Sequence, residues 1–164
     1  MEQRLLRTLL TACLLASAFL AQAVVGQAPT VVRLAGGPVI VPNMDARMGS
    51  NIQGPSLIRV PDWIDNPLGR YYLYFADHRG TYIRLAYADD ITGPWRTHEA
   101  GSLKLEDSFF PTTCPPCSLA PGAGGSLYAH IASPDVHVDE ENQQIVMYIH
   151  ERGAGEQMTR LAIS

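Results

Sequence analysis

The sequence predicts an all-β chain of the β-propeller type. Three observations carry this. A loose internal repeat pairs Gly54-Pro55-Ser56-Leu57-Ile58, Tyr71-Tyr72-Leu73-Tyr74-Phe75 and Ile83-Arg84-Leu85-Ala86-Tyr87 with Ser133-Pro134-Asp135-Val136-His137, Ile145-Val146-Met147-Tyr148-Ile149 and Thr159-Arg160-Leu161-Ala162-Ile163. Each copy reads strand, turn, strand, turn, strand, which is the signature of a radial array of small sheets. No stretch sustains a helical period. The second copy reaches only its third strand, so the chain reads as the N-terminal part of a longer protein. The first unit spans about residues 54–105 and the second, incomplete, about 130–164.

Residues 1–23 read as a secretory signal peptide. Arg4 and Arg7 form a basic start, Leu9 to Leu20 an apolar run, and Ala21-Gln22-Ala23 a small-residue cleavage site. The alternatives are a membrane anchor, for which the run is short against the about 20 residues a span needs, and a lipoprotein box at Leu10-Thr11-Ala12-Cys13, past which the apolar sequence continues. The predicted location is therefore secreted or periplasmic, with no stable membrane span after cleavage. Residues 24–50 carry two candidate edge strands, Val31 to Leu34 and Val39 to Val41, bounded by Pro38 and Pro42, then a loop.

The propeller proper is expected over residues 51–164. Ser56 to Val60 suits an inner strand. Residues 61–69, with two prolines, Asp62, Asp65 and Asn66, form a long turn. Tyr71 to Ala76 is dense in aromatic residues, as strands favour. Tyr82 to Ala88 alternates, with Ile83, Leu85 and Tyr87 on one face and Tyr82, Arg84 and Ala86 on the other. Trp95 opens an outer strand, and Asp139-Glu140-Glu141-Asn142 is a solvated hairpin turn. Residues 106–129, rich in Pro, Gly, Ser and Thr, form a long connection.

The 164 residues are 46% apolar and 17% charged, with a net charge of −4. That suits a globular domain and gives no electrostatic case for nucleic acid. Cys114 and Cys117 form C-P-P-C, expected to pair as a short-loop disulfide in an oxidising compartment. A redox centre would want a helix after the first cysteine, which Pro115 and Pro116 oppose. A zinc site would want a second pair of ligands, and no second C-x-x-C occurs. No metal or cofactor is expected.

A four-strand meander fixes which loops share an end. The start of its first strand and the turn between its second and third lie together. Asn51, His78 and Arg79 of the first unit then share an end with His130, Asp135, His150, Glu151 and Arg152 of the second. The alignment that matches His78-Arg79-Gly80 to His150, Arg152 and Gly153 supports this. The imidazoles could bind sugar hydroxyls through their ring nitrogens. Glycosidic cleavage uses a pair of carboxyl groups. Asp135 leads, either as an orienting carboxylate or as a turn cap. Glu151 and Asp77 follow, with ion pairs to Arg152 and Arg79 as their simpler roles.

Pro55-Ser56-Leu57-Ile58, Ala86-Tyr87-Ala88-Asp89-Asp90-Ile91-Thr92-Gly93-Pro94-Trp95 and Ser133-Pro134-Asp135-Val136 resemble the opening blades of glycoside hydrolase family 43 and its relatives. The resemblance covers residues 51–164 and implies about two of five propeller blades. It also implies a carbohydrate partner, with arabinose- or xylose-containing polysaccharides as substrates and inversion by an activated water. The family's general base stands immediately before the first-blade proline, where this chain has Gly54; Asp45 is a speculative substitute. Asp135 matches the family's pKa-tuning aspartate. The general acid belongs to a third blade, so this chain alone is expected to be inactive. The alternative is a propeller of the cell envelope that binds carbohydrate without cleaving it.

Overall fold

The structure is a computed structural model that describes residues 28–113, 129–152 and 157–164, without the side chain of Arg152. The predicted signal peptide, Cys114 and Cys117 lie outside the described residues. Contacts divide the chain into Met1–Ala35 and Gly36–Ser164. In the first unit, residues 28–35 are exposed and irregular, so the expected strand Val31 to Leu34 does not form. Val31 is 92% exposed and joins no ladder. Val39 to Val41 is likewise no strand and leads into a short 3-10 turn, Pro42–Met44. The flanking prolines cannot donate to a ladder.

The second unit is all-β among its described residues, and no described helix is long and apolar enough to cross a membrane. Its first sheet is the antiparallel meander β1 (Ile52–Arg59), β2 (Tyr71–Asp77), β3 (Tyr82–Ala88) and β4 (Arg96–Lys104). The second is β5 (Ala132–Asp139), β6 (Gln144–Arg152) and β7 (Gln157–Ile163), also a meander. The two pack face to face with β1 against β5. That is the placement of neighbouring propeller blades and meets the predicted fold class. The turn after β5 is the expected solvated one: Asp139 accepts hydrogen bonds from the main chain and side chain of Asn142.

The first sheet is buried on both faces. Ile58, Val60, Tyr72, Tyr74, Ile83 and Leu85 face Ile131, Val136, Met147 and Ile149 of the second sheet. Leu73, Phe75, Ala86 and Ala88 face Met48 and Trp95. Each fully buried aliphatic or aromatic side chain contributes about 1.5–3 kcal/mol, so this double burial explains why β2 and β3 carry the densest apolar sequence. Arg84, on the same face of β3 as Ala86, is buried as well. Its guanidinium donates to the Arg47 carbonyl at 3.1 and 3.0 Å and lies 4.4 Å from the Tyr82 ring centre.

Both inner strands carry an irregularity at the same place. The pairing shifts between Gln53 and Ser56 in β1, and between Ala132 and Asp135 in β5. Gly54 and Ser133 sit inside these bulges with φ of 59° and 48°. They touch each other: a Cβ on Gly54 would stand 2.6 Å from the Ser133 Cα. Two residues on, the Val136 N–H donates to the Ser56 hydroxyl oxygen at 2.8 Å. At the far end of the sheets the Trp63 indole N–H donates to Glu140 at 2.9 Å.

The ladders also correct the repeat alignment. Gln53 opposes Ala76, and its counterpart Ala132 opposes His150. His150 therefore takes the place of Ala76, and Glu151 that of Asp77; His78 corresponds to Arg152, not to His150.

A side chain at Gly54 meets both a left-handed φ and the opposing backbone. Gly54→Ala is expected to cost about 2–4 kcal/mol and Ser56→Ala about 1 kcal/mol, read from urea unfolding. A Gly54→Ala midpoint equal to that of the parent would show that β1 and β5 do not meet there.

Candidate functional site

The β2–β3 turn of the first sheet and the entry to β5 of the second form one end of the sheet pair. The Ile131 N–H donates to the Gly80 carbonyl at 3.1 Å, which ties the two together. Beneath the turn, Asp77 is buried and accepts the Asn51 main-chain N–H at 2.8 Å. The Asn51 carbonyl in turn accepts the His78 N–H at 3.1 Å. A Cβ on Gly49 would collide with the Asp77 carboxyl group, so the backbone approach there is closed to other residues. Asp77 thus shapes the loop that leads into β1, a role its place beside Arg79 in the sequence did not reveal.

Above this support lie three imidazoles drawn from both sheets. His78 and His130 stack with ring centres 5.5 Å apart and planes inclined by 27°. His130 is buried and His78 exposed. His150 is partly buried and close enough to both for their charges to act on it. Burial, and then the neighbouring His130 and His78, hold its pKa below the usual histidine value, so it is neutral at pH 7. Neutral imidazole offers one N–H donor and one ring-nitrogen acceptor, the pair that a sugar hydroxyl can use. Arg79 lies exposed at the tip of the same turn, and Asn51 is exposed beside it.

Glu151 belongs to the same end but faces the other way. It continues the Met147 and Ile149 row toward the first sheet and is 0% exposed. Neither carboxyl oxygen has a hydrogen-bond partner among the described residues, and the expected ion pair with Arg152 falls on a side chain outside them. Burial raises its pKa to about 7, against the opposing charge of Arg160. Arg160 itself lies over the Phe110 ring, 5.0 Å from its centre.

Asp135 does not join the imidazoles. Its side chain is 67% exposed, faces away from the first sheet and meets His137 at 3.0 Å. Its counterpart is Ser56, the residue that holds Val136, because Ser56 opposes Tyr74 as Asp135 opposes Tyr148. Asp45, the speculative substitute base, is engaged elsewhere. It accepts hydrogen bonds from the Arg47 side chain and main chain and from Thr97 at 3.1 Å. These hold its carboxyl well below the usual carboxylate range, so it makes a poor proton acceptor. Among the described residues, no group of three or more His, Cys, Asp or Glu could hold a metal ion.

No family model matches the chain. A curated protein of Acanthamoeba polyphaga mimivirus, "Uncharacterized protein R118", is 36% identical over 112 residues, covering 62% of this chain. The match spans 29% of that relative's length. Among solved structures, the chain is similar to an α-L-arabinofuranosidase of Clostridium thermocellum, with a TM-score of 0.39 and 22% identity over 71% of this chain and 37% of that one.

The folded-state pKa of Glu151 is raised from 4.5 to about 7, so its contribution is intact below pH 4.5 and is lost as pH rises through 7. Subtracting the pH–stability curve of Glu151→Gln from that of the parent should leave a loss of about 3 kcal/mol between pH 4.5 and 8. The subtraction removes the opposite slope contributed by His150. Parallel curves would show that Glu151 ionises normally in the folded chain.

Proposed function

We propose that the chain is part of an exported, glycosidase-like β-propeller that binds carbohydrate at the end carrying His78, His130 and His150. The observation that carries this reading is the stacking of His78, from the β2–β3 turn, on His130, from the entry to β5, with His150 of β6 near enough to feel both. They form a polar, partly open surface suited to uncharged hydroxyl groups. The sequence resemblance supports the same substrate class, polysaccharides containing arabinose or xylose. The N-terminal leader supports export, and a Cys114–Cys117 disulfide would fit that compartment. Five blades in the whole protein is likewise our reading.

Binding is favoured over cleavage by Gly54. The position where the resemblance expects a general base has no room for a side chain, because Ser133 stands against it. Hydrolysis is the second reading, and Glu151 favours it, since its pKa of about 7 is that of a carboxyl able to give up a proton near neutrality. Its complete burial withholds that proton from a bound sugar. Asp135 could orient an acid only if such a group approached its exposed face.

Titration of the purified chain with xylo- and arabino-oligosaccharides should show binding without release of reducing sugar. His78→Ala or His150→Ala should weaken binding at least about tenfold, a loss of roughly 1.4 kcal/mol. Unchanged affinity in both variants would refute the site, and turnover by the purified chain would refute the non-hydrolytic reading.

A further inference from the structure

A cavity of about 690 Å³ lies apart from the imidazoles, lined from the end of the β2–β3 turn onward. Small-molecule sites commonly fall at about 300–1,000 Å³. Arg47, Tyr82, Glu99, Lys104 and Glu106 line it, over a floor that includes the buried Leu105. Thr81 lines it as well and immediately follows the turn that carries His78 and Arg79. The Leu105 N–H donates to the Thr81 carbonyl at 2.8 Å, which ties the end of the turn to the cavity floor.

The lining has a particular chemistry. The charged groups of the lining are two cations and two carboxylates: Arg47, whose guanidinium also holds Asp45 behind the lining, meets Glu99 at 3.2 Å, and Lys104 meets Glu106 at 3.4 Å. With Asp45 included the charges leave no surplus of cations to draw an anionic ligand, whereas each pair in the lining offers donors and acceptors side by side. Adjacent hydroxyl groups on a sugar ring match that arrangement, and the apolar floor suits the ring's C–H face. Tyr82 is not a stacking platform. Arg84 covers its ring, Gly101 closes on the ring atoms, and its hydroxyl donates to the Arg47 carbonyl at 3.2 Å. It serves as a fixed wall.

We infer that this cavity is a second sugar-binding site for a neutral glycan chain, which crosses the 78–81 turn from the imidazoles and lodges further units between Arg47–Glu99 and Lys104–Glu106. The inference rests on the carbohydrate reading above and adds that the ligand is an oligomer, not a single sugar. The two sites share the turn but no side chain, so each can be altered alone.

The test is a ladder of xylo- and arabino-oligosaccharides, from dimer to hexamer, titrated into the whole chain and followed by calorimetry and by backbone amide shifts. Lys104 and Glu106 are 59% and 67% exposed, so replacing them leaves the core intact. The parent should gain about tenfold or more in affinity from dimer to hexamer, as linked contacts add. Lys104→Ala/Glu106→Ala should remove that gain and leave dimer affinity within about twofold. Amide shifts at Thr81, Lys104 and Glu106 with hexamer would support the cavity, whether or not the histidines respond. Shifts confined to His78, His130 and His150, or a chain-length gain that survives in the double variant, would overturn the cavity and leave the first site standing. No response at either place would overturn both.

Discussion

The fold depends on the close approach of two first strands. β1 and β5 come together where Gly54 lies against the Ser133 backbone, and Ser56 receives the Val136 N–H. A bulge in each strand makes that contact possible, because it turns the chain inward just before the regular ladder resumes. The packed core between the sheets follows from the same approach: with the inner strands in register, Ile58 and Tyr74 meet Val136 and Met147. The meeting of His78 with His130 depends on it too, since these residues sit at the ends of elements that β1 and β5 position.

Much of the architecture was legible in the sequence. Alternation and aromatic density identified β2, β3 and the order of the meanders. The starts of β1 and β5 were harder to read, because Gly54-Pro55 and Ser133-Pro134 look like breakers although they belong to bulged strands. The candidate strands before residue 42 failed for another reason. A short apolar run becomes a strand only when a neighbour accepts its hydrogen bonds, and sequence alone does not show the neighbour.

The site was legible as an end of the sheet pair, not as a set of roles. Shared topology brought His78, His130 and His150 to one place. It could not say which way a residue beside a bulge points, and so Asp135 and Glu151 went unresolved. A one-residue step in a strand exchanges faces: it places His150 with the other imidazoles and its neighbour Glu151 in the core. The equivalent carboxyl groups also meet different fates. Asp77 finds a main-chain N–H, whereas Glu151 finds no hydrogen bond among the described residues and is raised toward neutrality.

The register relates one further pair across the repeat. Tyr74 stands opposite Leu85 in the first sheet as Tyr148 stands opposite Leu161 in the second. The first couple is 5% and 7% exposed, and the second 45% and 56%. Ile163 lies nearby on β7, 62% exposed. Side chains that serve as interior in one meander are thus wetted in the other. A further meander laid against Tyr148, Leu161 and Ile163 would dry that face as the second sheet dries Tyr74 and Leu85, so an apolar sheet is the natural neighbour for this side of the chain.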